Sequence, residues 1–444
     1  MLHSIAERQG VAERLPLTLQ AYRLLAAAGT PLIGLLLSYR VKRGKENPDR
    51  LPERRGESSI VRPDGPLVWV HGASVGEMLS VIPLIERIRS KEFAVLCTSG
   101  TVGSAAIAAQ RLPPGVIHQF LPLDAPRFVN RFFQHWRPDL VLFVESDLWP
   151  NMIMAGAERG TPMILVNGKL SERSFNRWRF MPATIGAQLR SFALCLAQSA
   201  ADAARLRDLG APRITTTGNL KLDVPEPPAD PEKLQALKNA IGDRATIAAA
   251  STHAGEETVL IEAHRRLRHS FPHLLTIIAP RHPDRGPGIV EIAHAAGLSA
   301  TLRSRGALPA SGEDIYVMDT FGELGLLYRL APIVFVGGSL ASHGGQNPIE
   351  PIKLGAAVLH GPHVWNFAEI YHALDQAHGA ELVTEVGKLA VRIGAWLRDA
   401  DERAAAVAAA RETVNTLGGA LERTVAALDP YLMQIRLEQR DRHA

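Results

Sequence analysis

Carboxylates at the ends of apolar runs are the residues of this chain whose type and spacing could do chemistry. Glu77 closes the small-residue loop HGASVGE, residues 71–77, and stands in the first turn of a helix. Such a loop presents backbone N–H groups to an anion and lets a substrate approach closely. Glu77 itself admits two readings, complement of the helix dipole or general base. Glu145 and Asp147 end the run LVLFVES and the residues after it, where an acidic pair could bind a metal or orient a substrate hydroxyl, or cap the following turn. In GGSLASHGGQNPIEP, residues 337–351, four glycines precede Asn347 and Glu350, which enter a helix opened near Pro348. A carboxylate there could grip the hydroxyls of a ribose or sugar; the alternative is a tight crossover. APRHPDR, residues 279–285, sets Arg281 and His282 at a strand end, a pair suited to a phosphate. HGASVGE has neither the GxGxxG spacing of a dinucleotide fingerprint nor the lysine of a phosphate loop, which argues against nicotinamide and ATP.

The elements that must position these residues follow from periodicity. LVWVHGA, FAVLCTS, VIHQFLPL, LVLFVES, PMILVNG, FALCLAQ and ITTTGN read as buried strands, separated by segments of helical spacing. That pattern stops at DVPEPPADPE, residues 223–232, a proline-rich linker. It resumes with TIAAAST, LLTIIAP, IYVMD, IVFVGGS and AAVLHGP. The restart echoes the first half: Val75-Gly76-Glu77 and Ala254-Gly255-Glu256 follow corresponding strands, 179 positions apart. The chain therefore reads as α/β, with two Rossmann-like, doubly wound parallel-sheet domains facing a central cleft. Ligands are expected at the carboxyl ends of the strands.

The length of 444 residues excludes a single small module, and 46% hydrophobic with 21% charged residues excludes general disorder. Cys97 and Cys195 lie in strand-like runs and read as inert core thiols in a reducing compartment. The net charge of +4 is concentrated: between Arg40 and Arg62, eight Lys/Arg face four acids, which points to a polyanionic partner. No aromatic residue interleaves with those charges, so a nucleic acid is not expected. Immediately upstream, Leu24–Tyr39 carries no charge over 16 residues. A helix of that length rises roughly 24 Å, short of the ~30 Å hydrocarbon core. It reads as a membrane anchor or dipping helix, or else as a buried core helix kinked at Pro31.

HGASVGE, ESDLWPN with VNGKLSERS, GNLKLD, ASTHAGEE, APRHPDR, DTFGEL and GGSLASHGGQNPIEP occur in the order and approximate spacing of the Kdo transferases, a family this chain resembles from its N-terminal apolar segment to about residue 370. The resemblance implies a glycosyltransferase B fold and an inverting transfer of 3-deoxy-D-manno-octulosonic acid (Kdo) from CMP-Kdo to the lipid A precursor. That reaction belongs to lipopolysaccharide synthesis on the cytoplasmic face of the bacterial inner membrane. Position by position, it implies that Glu77 is the base and that Glu145 and Lys221 stabilise the transition state. It further implies that Pro280, Arg281, Phe321, Gly322, Glu323, Asn347, Pro348, Ile349 and Glu350 contact the CMP-sugar. No metal and no cofactor are implied. Gln346, where many members have His, and Gly168-Lys169, in place of a commoner Ala-Arg, are departures. The expected division is a membrane helix over 1–40, an acceptor domain over 41–222, the linker, a CMP-sugar domain over 233–420 and a helical tail over 421–444. A nucleotide-sugar epimerase of the same fold and a non-enzymatic membrane scaffold are the rival readings.

Overall fold

The computed structural model describes residues 15–443. The chain divides into two compact units, one running to Val224 and resuming at Gly418, the other spanning Pro225–Leu417.

Seven strands build the first unit: β1 (Leu67–His71), β2 (Ala94–Ser99), β3 (Ile117–Phe120), β4 (Leu140–Val144), β5 (Met163–Gly168), β6 (Leu194–Ala197) and β7 (Ile214–Thr216). All pair in parallel, in the order β3-β2-β1-β4-β5-β6-β7. Both faces are covered, which is why β1 and β4 are apolar almost throughout instead of alternating. Trp69 and Phe143 point to one face and pack with Phe132, Phe133 and Trp136. Val68, Val70, Leu142 and Val144 point to the other, where Leu428 and Leu432 join them. Those two leucines come from the last helix, Ala420–His443, which thus closes one face of the first sheet.

The second sheet uses β8 (Thr246–Thr252), β9 (Leu275–Pro280), β10 (Ala300–Leu302), β11 (Ile315–Val317), β12 (Ile333–Val336), β13 (Ala357–His360) and β14 (Ala380–Leu382). Its order is β10-β11-β9-β8-β12-β13-β14, again parallel. The edge strands β10 and β14, three residues each, carry too little periodicity to be read from the sequence. Cys97 and Cys195 are free and buried, and burial pushes both thiols up to about 12, as inert core residues require.

The apolar N-terminal segment is two helices, Leu17–Ala28 and Ile33–Lys42, joined by a short 3₁₀ turn and bent by 46°. No single helix among the described residues is long and apolar enough to cross a membrane. The core-helix reading fails on exposure, since only Leu19 and Leu37 are buried while Leu24, Leu25, Leu32 and Leu35 are each at least 65% exposed. The basic stretch behind it also divides. Arg54 is buried with Glu46 at 2.8 Å and donates to Leu121 O, Arg50 binds Glu53 through both its Nε and Nη2, and Arg62 donates to Trp136 O. Those arginines tie the segment to the first unit, and a charge count cannot reveal such pairing. Lys42, Arg43 and Lys45 remain exposed at the end of the apolar pair.

Candidate active site

Strand order reverses between β1 and β4 in the first sheet and between β8 and β12 in the second. Loops leaving the carboxyl ends of strands at such switch points diverge and leave a crevice. Glu77, Glu145 and the Asn347–Glu350 segment follow β1, β4 and β12 at these points, whereas Lys221, Arg281 and Phe321 follow the neighbouring strands β7, β9 and β11.

In the first unit, Ser74 caps the helix Val75–Ser90, its Oγ accepting from Glu77 N at 3.3 Å. The Glu77 carboxylate reaches back in turn, accepting from Ala73 N and from Ser74 Oγ, both at 2.8 Å. The reciprocal arrangement is a variant of the capping box, so the helix-terminus reading of Glu77 is realised. It does not exhaust the side chain, which is only half-buried. Burial and the neighbouring Glu145 charge push its pKa up, against the lowering effect of the Ser74 and Ala73 hydrogen bonds. A carboxylate raised in this way is a better proton acceptor than an ordinary one.

Glu145 follows β4 directly and holds φ = 60°, a left-handed conformation that a glutamate rarely adopts. Its Oε1 meets Lys221 Nζ at 2.5 Å. Lys221 is placed by two asparagines: Asn219 Oδ1 accepts from Lys221 N, and Asn167 Oδ1 from Leu220 N, each at 3.0 Å. Asn167, next to last in β5, is fully buried and also stands at positive φ, 54°. Both asparagines lie inside quoted motifs, VNGKLSERS and GNLKLD, yet nothing local marks them as supports. A Cβ built on Gly76 would lie 3.9 Å from Lys221 Cε, so the lysine passes beside the start of the Glu77 helix. Glu77, Glu145 and Lys221 therefore belong to one cluster.

Asp147 is oriented by the protein itself. Buried His71 sets Nδ1 2.9 Å from Thr98 Oγ1 and Nε2 3.0 Å from Asp147 Oδ2, which also accepts from Trp149 Nε1 at 2.9 Å. Burial alone would raise the Asp147 pKa, but the hydrogen bond and charge of His71 and the Trp149 hydrogen bond together outweigh it and the net shift is down. Among the described residues no group of three His, Cys, Asp or Glu is placed to hold a metal.

In the second unit the glycine-rich loop after β12 is clamped at both ends. Glu256, 1% exposed, takes Gly338 N and His253 N on Oε2 and Ser339, Leu340 and Ala341 N on Oε1, all between 2.8 and 3.1 Å. At the far end Tyr371 Oη donates to Gln346 O at 2.9 Å. Gly337 has no alternative, because a Cβ there would sit 2.5 Å from Ser251 O and 2.7 Å from Thr252 Cα. The clamp escapes sequence reasoning because four of Glu256's five partners lie 82 to 85 residues away.

Pro280 ends β9, and Arg281 N donates to Thr252 O at 2.9 Å while its side chain is exposed. Phe321 is 82% exposed, and Gly322 turns at φ = 79°. Burial would raise Glu323, but hydrogen bonds from Arg303 and Thr320 hold it down to about 2. What this segment offers outward is thus the Phe321 ring and the turn at Gly322. Asn347 Oδ1 accepts from Ile349 N at 3.0 Å and its Nδ2 lies 3.3 Å from Glu350 Oε1 at the start of the short helix Ile349–Lys353, capped by Pro348.

Residues 49–224 match the family model "3-Deoxy-D-manno-octulosonic-acid transferase (kdotransferase)". A probable mitochondrial 3-deoxy-D-manno-octulosonic acid transferase of Arabidopsis thaliana is 36% identical over 84% of this chain and 86% of its own length. The 3-deoxy-D-manno-octulosonic acid transferase of Bordetella pertussis is 34% identical over 93% of this chain and 99% of its own. A crystal structure of a glycosyltransferase from Rickettsia africae superposes with a TM-score of 0.58 over 83% of this chain and 99% of that one, at 12% identity, a likeness of fold alone. With paired parallel sheets of glycosyltransferase B type and relatives matching nearly end to end, the chain belongs to the 3-deoxy-D-manno-octulosonic acid transferase family of glycosyltransferases.

Proposed function

We propose that this enzyme transfers Kdo from CMP-Kdo to the lipid A precursor with inversion, using Glu77 as the base. One observation carries the reading: a half-buried carboxylate of raised pKa stands at a switch point beside a second carboxylate already paired with a lysine. Glu77 takes the proton of the acceptor hydroxyl as its oxygen attacks the anomeric carbon, the bond from that carbon to the CMP phosphate breaks, and CMP leaves with the electron pair. The leaving group needs its charge held, which falls to Arg281 and the backbone of the second unit's strand-end loops. Lys221, paired with Glu145, is suited to the charge developing near the first unit's loops. Phe321, Gly322 and the Asn347–Glu350 turn serve the cytidine and ribose. No covalent intermediate is required, since one carboxylate suffices for direct displacement.

The acceptor is a phosphorylated glycolipid that stays in its bilayer. We place the enzyme at the cytoplasmic face of the inner membrane through the exposed leucines of the bent helix pair, with Lys42, Arg43 and Lys45 against the headgroups. The test of the reaction is an assay of the purified chain with CMP-Kdo and lipid A precursor, reading CMP release and the mass gain of the lipid. Release of CMP that is independent of the lipid, or no mass gain, would overturn it. For the membrane, deletion of residues 1–40 and the double change Leu25→Glu with Leu35→Glu should both release the protein from vesicles containing anionic lipid. Tight vesicle binding by both would contradict the anchor.

A further inference from the structure

Three histidines gather at the carboxyl edge of the second sheet, each from a different strand end. His253 follows β8, His282 follows β9, and His343 lies in the glycine-rich loop after β12. These strands are neighbours, in the order β9-β8-β12. The His253 and His343 rings stack, centroids 4.1 Å apart and planes 17° from parallel, and His282 stands edge-on to His253 at 6.1 Å. Two imidazoles stacked so closely cannot both carry charge without a counter-anion between or beside them. Their other neighbours sharpen this. Arg281 adds positive charge, Gln346 Nε2 lies 3.5 Å from His253 Nε2, and the Glu256 carboxylate beside His253 is occupied by five backbone N–H groups. Burial and then the His343 charge hold His253 below its ordinary value, with Glu256 opposing and His282 and Arg281 adding to the depression. Three imidazoles and a guanidinium thus meet at one sheet edge beside a carboxylate that is already engaged by backbone N–H groups.

We infer that His253, His282 and His343 form, with Arg281, a seat for a phosphodiester oxyanion, and that seating the anion draws a proton onto the stacked His253–His343 pair. This rests on the proposed CMP-sugar reading of the second unit and deepens it, because the donor's linking phosphate carries one such charge. The anion supplies the missing counter-charge, an imidazole takes up a proton from solvent, and the proton adds a charge-assisted hydrogen bond to the phosphate. Donor affinity should then be highest at mildly acid pH and fall as pH rises through the range where a free imidazole titrates.

The probe is the methyl ester of cytidine 5′-monophosphate, a phosphodiester that does not itself titrate between mild acid and mild base, with cytidine as the arm lacking the anion. Titration calorimetry of the full chain in two buffers of different ionisation enthalpy reads proton uptake directly. The ester should bind with uptake of a fraction of a proton near neutrality and weaken about five- to tenfold from pH 6 to pH 8. Cytidine should show neither effect. His253→Gln and, independently, His343→Gln should bind the ester more weakly at pH 6, without proton uptake and with a flat pH dependence. Binding of the ester without proton uptake, or uptake unchanged in both variants, would overturn the inference while leaving the donor site standing. Failure of the wild type to bind the ester at all would instead sink the CMP-sugar reading on which it rests.

Discussion

Glu77 and Glu256 occupy corresponding places in the two units, each a Gly-Glu pair after the first strand of its sheet, and their fates differ. Glu77 is the third residue of its helix, and its carboxylate folds back on its own cap with two hydrogen bonds. Glu256 is the first residue of helix Glu256–Leu267, because the preceding Gly255 holds φ = 95° and delays the helix start. From that position its carboxylate turns sideways into the neighbouring strand's loop and is saturated by five N–H groups. A shift of two residues in where a helix begins thus separates a carboxylate folded back on its own cap from one that clamps a distant loop. The lesson is that a carboxylate with every lone pair taken holds a backbone in place, whereas one left half-exposed with a raised pKa has capacity for a proton.

Substitutions can break that comparison. The largest effect is expected for Glu77→Gln. Glutamine still serves a capping box, so the helix terminus survives while the proposed base is lost. Turnover should fall about a thousandfold, within the 10²–10⁴ range of general base catalysis, with Tm little changed. A large fall in Tm with turnover per folded molecule preserved would move Glu77 to the structural side. Next comes Glu256→Gln, in which either orientation of the amide sets its own N–H donors against backbone donors. Denaturant unfolding should show a loss of about 3 kcal/mol from the second unit, in line with several buried N–H groups left unpaired. An unchanged midpoint would show that the loop does not depend on its clamp. The smallest effect is expected for Glu145→Gln, which removes the neighbouring charge that, with burial, raises Glu77. The acid limb of the rate profile should then move to lower pH, by less than about one unit. A limb that stays in place would mean that burial alone sets the Glu77 pKa.

Much of this was legible before the structure because parallel sheets covered on both faces force their strands into apolar runs, and because the loops of interest follow those runs. The echo of Val75-Gly76-Glu77 in Ala254-Gly255-Glu256 gave the correspondence of the two sheets, but not the divergence of the two carboxylates. That divergence depends on the φ of Gly255 and on partners far along the chain. The same holds for Asn167, which positions Leu220 from 53 residues away, and for Arg54, whose burial with Glu46 turns an apparent polyanion site into a tie within the first unit. The return of the last helix to the first sheet was equally hidden, since Leu428 and Leu432 find their partners only in three dimensions.

The most direct test of the base is the pH dependence of kcat for the wild type and Glu77→Gln, measured side by side with CMP-Kdo and lipid A precursor saturating. The wild type should lose activity as pH falls through a single group titrating above the ordinary carboxylate range, and the residual rate of Glu77→Gln should be flat across it. An acid limb of the same position and depth in both proteins would mean that some other group accepts the proton.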